Sequence, residues 1–184
     1  VGDMQALMSE AGMHLKVLDV ASYAAQSAAE RIIENLPNAG KDAIIALVHV
    51  GASSIYVYVM RNGEVLFERE QAFGGVQLTQ HIARLYGMTQ EEAESKKIAG
   101  QLPDDYAHVV LQPFIERVAQ EIQNILQFFY NSTPHGKTDY VLLSGGSASL
   151  PKLSDAVIQA TGAACLLANP FDGMEIGSQV QDRK

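Results

Sequence analysis

Three small-residue turns stand out as places where a backbone could do chemistry. "GASS", Gly51 to Ser54, lies between two apolar runs. "FGG", Phe73 to Gly75, leads into a helical pattern. "SGGSAS", Ser144 to Ser149, joins a strand pattern to a helix pattern. Glycine and small hydroxyl residues let backbone N–H groups approach a phosphate, and a following helix start favours anions. Each turn also has a structural reading: Gly51, Ala52, Ser53 and Ser54 as a tight hairpin, and Gly74-Gly75 and Gly145-Gly146-Ser147 as helix-starting turns. Glu94 and Lys97 lie three residues apart on a polar helix pattern, a spacing common in solvated surface pairs.

Hydrolysis asks for more than a cradle. It needs an acid that holds a metal or positions water. The polar side chain nearest the first turn is His49, which reads as a packed or hydrogen-bonded imidazole at a strand end. His14, His49, His81, His108 and His135 are scattered without an H-x-x-x-H pair. No metal site and no catalytic residue are assigned. The G-x-S-x-G elbow of a serine hydrolase is missing from the sequence.

These turns need strands and helices to hold them. "DAIIALVHV", "SIYVYVMR" and "EVLFERE" read as three consecutive strands, the last two joined by Asn62-Gly63, a hairpin signal. "VQLTQHIARLYG" places Leu78, Ile82 and Leu85 on one helical face. In "TQEEAESKKIAG", Thr89 and Glu92 have capping-box spacing. Residues 109–130 read as the longest helix, with Leu111, Ile115, Val118, Ile122, Ile125 and Phe129 buried and Glu116, Gln120 and Gln127 exposed. "DYVLLSGG", "SLPKLSDAVIQATG" and "ACLLAN" follow as strand, helix and strand. Upstream, "MHLKVLDV" alternates like a strand before the Ala-rich helix "ASYAAQSAAERIIENL", and "PNAGK" reads as a linker. The fold class is α/β, a mixed sheet with a β-meander followed by α and βαβ elements. Both glycine turns are expected at one sheet edge, with 139–144 parallel to the first strand.

The bulk numbers narrow the classes. The 184 residues carry 47% hydrophobic and 18% charged side chains, a globular balance. Thirteen basic against 21 acidic residues leave a net charge of −8, which argues against a sequence-independent grip on nucleic acid or an anionic membrane. No apolar run reaches the ~20 residues of a membrane span. Cys165 is the one cysteine, so no internal disulfide forms, and its apolar run reads as core.

The order of the three turns, with the Glu94/Lys97 helix between the second and third, resembles the second domain of the actin-like superfamily (ribonuclease H-like). The wording "FGGVQLTQHIARLYGMTQEEAESKKIAGQLPDDY", the helix ending "LQFFYNS" and "GGSASLPKL" through "ANPF" resemble the PilM family, the actin-like cytoplasmic protein of type IV pilus assembly. The resemblance covers nearly the whole chain. It implies that 1–38 are the end of a first actin-like domain and 39–184 a second, with a small mainly helical subdomain at about 76–108. It implies ATP as cofactor. Gly51, Ala52, Ser53 and Ser54 would hold phosphates, Gly74 and Gly75 would belong to the same nucleotide site, Gly145, Gly146 and Ser147 would lie against the adenosine, and Glu94 and Lys97 would reach ribose and base. The family usually has Asp where this chain has His49, and an acid where it has Ala21. Losing both would remove metal positioning while sparing the backbone turn. The expectation is therefore a non-enzymatic scaffold of the inner-membrane pilus assembly complex. It would be cytoplasmic, peripheral at the inner membrane, and bound to the cytoplasmic N-terminal tail of PilN and other assembly proteins. An ATPase with a conformational cycle, and the actin-like component of type II secretion, are the alternatives. Apolar positions before residue 36, such as Leu15, Val17, Leu18, Ile32 and Ile33, would need cover, so a homodimer through this segment is also expected.

Overall fold

The computed structural model describes residues 1–169 and 171. Helices α1 (Gly2–Glu10) and α2 (Ala21–Glu34) come first, followed by a 3-10 turn at Pro37–Gly40. Strands β1 (Ile45–Val50), β2 (Ile55–Arg61) and β3 (Glu64–Gln71) form the meander. Helices α3 (Gly75–Tyr86) and α4 (Gln90–Ala99), a π-helical turn at Ala107–Leu111 and α5 (Gln112–Ser132) lead to β4 (Tyr140–Ser144). Helix α6 (Leu153–Thr161) and β5 (Ala164–Leu167) complete the described elements.

The sheet order is β3-β2-β1-β4-β5. β1 pairs antiparallel with β2 and parallel with β4, with His49 opposite both Tyr56 and Ser144. Beyond β1 the chain turns back through β2 and β3 on one side, and β4 and β5 lie on the other. The β1/β4 junction is thus the point where strand order reverses. Open α/β sheets bind ligands outside the strand ends at such a junction. Asp139 fastens the opposite end of the same pair: its carboxylate accepts the Ile44 N–H at 2.9 Å, and its own N–H donates to the Ile44 carbonyl at 2.8 Å.

One sheet face carries the main core. Ala46, Val48, Val57, Val59, Val141 and Leu143 are buried there under α3, α5 and α6. Ile115, Val118, Ile122, Ile125 and Phe129 are buried in α5, while Glu116, Gln120 and Gln127 are exposed, as periodicity predicts. Leu111 departs from that pattern. It sits in the wider π turn, where Val110 takes the inward position and Leu111 is only half-buried. Leu78 and Ile82 of α3 are buried, but Leu85 is exposed, and Tyr86 beside it packs on the core instead. The other sheet face buries Ile45, Leu47, Met60 and Leu142 together with Ala29 of α2 and Leu36.

Local signals account for several boundaries. Asn62 and Gly63 both take positive φ, 51° and 80°, closing the β2–β3 hairpin. Thr89 Oγ1 accepts the Glu92 N–H at 3.2 Å and caps α4. The expected strand over 13–20 does not form. Its alternation is real, but a strand needs a ladder partner as well as a pattern. Among the described residues it has none, and Met13, Val17, Leu18 and Val20 stay exposed. Met4, Leu7 and Tyr23 of the two first helices are exposed too.

Candidate functional site

The turns after β1 and β4 emerge at the same sheet edge because the two strands are parallel neighbours. The turn before α3 is then drawn onto them by backbone bonds. Gly75 N–H donates to the Gly51 carbonyl at 3.0 Å and Val76 N–H to the Ala52 carbonyl at 2.8 Å. Ser147 N–H reaches the Val50 carbonyl at 3.2 Å. Three segments far apart in sequence are stapled into one platform.

Only residues without a side chain fit at the contacts. A β-carbon on Gly74 would stand 2.6 Å from the Gly51 carbonyl oxygen and 2.7 Å from that of Ala52. One on Gly145 would stand 2.5 Å from the Val50 oxygen, and Gly145 also has a φ of 93°. One on Gly75 would meet Ser147 Oγ at 2.9 Å. Gly146, by contrast, opens onto free space. Its neighbour Gly145 is therefore built for close packing, while Gly146 leaves room beside the backbone.

A cleft of about 740 Å³ lies in front of this platform. That is within the size range of small-molecule sites. Ala52, Gly75, Gly146 and Ser147 supply one wall, and Glu94, Lys97 and Ile98 of α4 supply another. Of the expected site residues, Ala52, Gly75, Glu94, Lys97, Gly146 and Ser147 therefore meet in one place. Gly51, Gly74 and Gly145 stand behind the wall, Gly51 as a backbone acceptor and Gly74 and Gly145 packed closely on the carbonyls of Gly51, Ala52 and Val50. Ser53 lies exposed in the turn, outside the cleft lining. The amides of Ala52 and Ser53 make no backbone hydrogen bond among the described residues. Ser54 faces elsewhere: its hydroxyl is buried against Glu70, and it and Tyr56 hold the Glu70 carboxyl below its ordinary range.

Glu94 and Lys97 are not a loose surface pair. Lys97 Nζ donates to Glu94 Oε2 at 2.6 Å and to Thr79 Oγ1 at 2.9 Å. Thr79 Oγ1 donates to the same Glu94 oxygen at 2.5 Å. The Lys97 ammonium first, and the Thr79 hydroxyl second, hold the Glu94 carboxyl below its usual range. Sequence reading missed Thr79. It sits one residue beyond Leu78 on a buried helix stripe, and a lone hydroxyl there gives no motif to find. Ile98 was missed as well. It is 77% exposed at the cleft wall, an apolar surface available to a flat ligand.

His49 stands at the end of β1, next to the platform but outside the cleft lining. Its Nδ1 lies 3.3 Å from Ser144 Oγ, across the β1–β4 pair. The ring is hydrogen-bonded at a strand end, as its position in the sequence suggests. Ala21 opens α2. Among the described residues, no three His, Cys, Asp or Glu side chains cluster as metal ligands would. Nor is any helix there long and apolar enough to cross a membrane. Cys165 is partly buried, and loss of solvent raises its thiol to about 11.

The chain matches, over residues 1–184, the family model described as type IV pilus assembly protein PilM. Among solved structures, it is similar to one titled a PilM-PilN type IV pilus biogenesis complex, at 23% identity and a TM-score of 0.73, covering 92% of this chain and 47% of that one. The ethanolamine utilization protein EutJ of Carboxydothermus hydrogenoformans matches at 20% identity and a TM-score of 0.55, with 79% of this chain and 50% of that one covered. MreB5 of Spiroplasma citri bound to ADP matches at 14% identity and a TM-score of 0.59, with 92% and 60% covered. The architecture is that of the actin-like fold, and the chain spans about half the length of the first two solved structures and 60% of the third.

Proposed function

The chain belongs to the PilM family of type IV pilus assembly proteins, and from that premise we propose that it is the nucleotide-holding part of an actin-like scaffold. The observation that carries this reading is the backbone-stapled platform whose Ala52, Gly75, Gly146 and Ser147 share one cleft with Glu94 and Lys97. The residues fit a nucleoside triphosphate. The amides of Ala52 and Ser53, which make no backbone hydrogen bond among the described residues, would be available to phosphate oxygens. The open backbone at Gly146 admits a flat base or sugar. Glu94 and Lys97 present an acceptor and a donor for ribose hydroxyls.

Binding and turnover make different demands. A backbone cradle holds phosphate whatever the neighbouring side chain is. Hydrolysis requires a carboxylate to organise Mg²⁺ and its water, because Mg²⁺ takes oxygen ligands and accepts imidazole poorly. At the first turn this chain has His49, held to Ser144. We therefore read the protein as a scaffold that binds ATP without appreciable turnover. Residues 1–38 would end a first actin-like domain and 39–184 would form the second, with 76–108 as its helical subdomain. The partner would be the cytoplasmic tail of PilN, in keeping with the complex named for the similar structure. The protein would then sit in the cytoplasm, held at the inner membrane through that partner.

Equilibrium binding and steady-state turnover of ATP by the full-length protein test this together. Measurable binding with turnover no faster than buffer is expected. Turnover that disappears in a Glu94→Ala variant would make the protein an ATPase and overturn the scaffold reading.

A further inference from the structure

The structure assigns to Thr79 the role of a positioning residue that orients Glu94 and Lys97 toward the cleft. The inference rests on the nucleotide reading above and adds to it a residue that itself need not touch the ligand. A Glu–Lys pair at i,i+3 on an exposed helix is weakly held, because both side chains are long and water competes for each. Here the two lie across a short distance from α3, and Thr79 of that helix is only 6% exposed.

Counting donors and lone pairs shows what the hydroxyl does. Thr79 has one proton and gives it to Glu94 Oε2. One of its lone pairs takes a proton from Lys97. The Gly75 carbonyl, 3.3 Å away, is the weaker alternative for the same hydroxyl proton. Thr79 thus ties α4 to α3, whose first residue, Gly75, is itself bonded to the Gly51 turn. Glu94 Oε2 is occupied twice, by Thr79 and Lys97. Among the described residues, its other oxygen and one Lys97 N–H remain for a ligand: one acceptor beside one donor, fixed in direction. Without the hydroxyl both side chains regain their rotamers, and a ligand must order them on binding.

Two substitutions separate this role from packing. Thr79→Val keeps the shape and removes the hydroxyl; Thr79→Ser keeps the hydroxyl and removes the methyl. ATP affinity of the full-length protein and the Glu94 titration midpoint, followed by carboxyl carbon NMR, are the readouts. Thr79→Val is expected to weaken ATP binding by about tenfold, the scale of a hydrogen bond to a charged group, and to raise the Glu94 midpoint. Thr79→Ser is expected to match the wild type in both. Equal affinity in all three proteins overturns the inference. So does the reverse order, with serine weak and valine intact, which would mark a packing residue. Weakening by both variants with the Glu94 midpoint unmoved overturns it too. A wild-type protein that binds no ATP instead overturns the nucleotide reading, and this inference falls with it; the midpoint still shows whether Thr79 sets the pair.

Discussion

Gly74 and Gly51 touch through their backbones: a β-carbon on Gly74 would lie 2.6 Å from the Gly51 carbonyl oxygen. They lie 23 positions apart in the sequence, and the contact joins the first glycine turn to the start of α3. The obstacle is backbone on both sides, so no side chain can swing away to relieve it. Gly74→Ala should therefore destabilise the protein by about 1–3 kcal/mol, the usual cost of overpacking. Gly145→Ala should do at least as much, since it adds a positive φ of 93° to a 2.5 Å approach. Gly146→Ala, open on all sides, should be nearly neutral in urea unfolding. Equal midpoints for Gly74→Ala and Gly146→Ala would show that the platform is loose.

The α5 face makes a second, independent test. Ile122 is fully buried between the sheet and its neighbours, and Gln127 is exposed. Ile122→Ala should cost ~2–5 kcal/mol, as core truncations do. Gln127→Ala should stay within about half a kcal/mol. A small loss at Ile122 would mean that the helix does not carry the core.

Strand and helix periodicity made most of this architecture readable. The meander, the long helix and the parallel β1–β4 pair all follow from runs whose partners lie inside the chain. The 13–20 segment shows the limit of the method. Met13, Leu15 and Val17 alternate as a strand would, but alternation says only which face could be buried, not what covers it. The site divides in the same way. Glycines at Gly51, Gly74 and Gly145 are visible because turns demand special residues. Thr79 is invisible because its function comes from α3 lying against α4, and no local spacing encodes that contact. Ser54 is the converse case: it looks like part of the cradle, yet its hydroxyl belongs to Glu70 on β3.

Acid should weaken the α3–α4 junction. The folded-state carboxyl of Glu94 is depressed by Lys97 and Thr79. Its contribution to stability is present above the unfolded carboxylate pKa and is lost as pH falls through the folded one. Glu94 is about half exposed, so the effect is modest and screened by salt. Amide protection in α4, measured against the intrinsic exchange rate at each pH, should fall below the ordinary glutamate range, and Glu94→Gln should flatten that dependence. An unchanged profile in Glu94→Gln would remove the pair from any part in holding α4.

The thiol of Cys165 should be silent at neutral pH. Burial, and secondarily the Asp155 carboxylate, raise it to about 11, so almost none is thiolate at pH 8. Modification by an aromatic disulfide should be slow in the native protein and fast in denaturant. Rapid native labelling would place β5 in solvent.

His49 decides between the scaffold and the enzyme. The imidazole sits at the end of β1, and its hydrogen bond to Ser144 Oγ, at 3.3 Å, is long. Its ring is exposed, so removing it opens no core cavity. His49→Ala should therefore change stability by less than about 1 kcal/mol. The adjoining turn is held by Gly75, Val76 and Ser147 through backbone atoms alone, so ATP binding should survive the same change. Turnover, expected to be no faster than buffer in the wild type, should be no faster in the variant. His49→Asp would place a single carboxylate beside the turn, and one carboxylate does not by itself assemble the oxygen ligands of a Mg²⁺ site, so it should not create a fast hydrolase by itself. If the wild-type protein turns ATP over and His49→Ala abolishes that without loosening binding, then the imidazole takes part in the reaction. The chain would then be working as an ATPase.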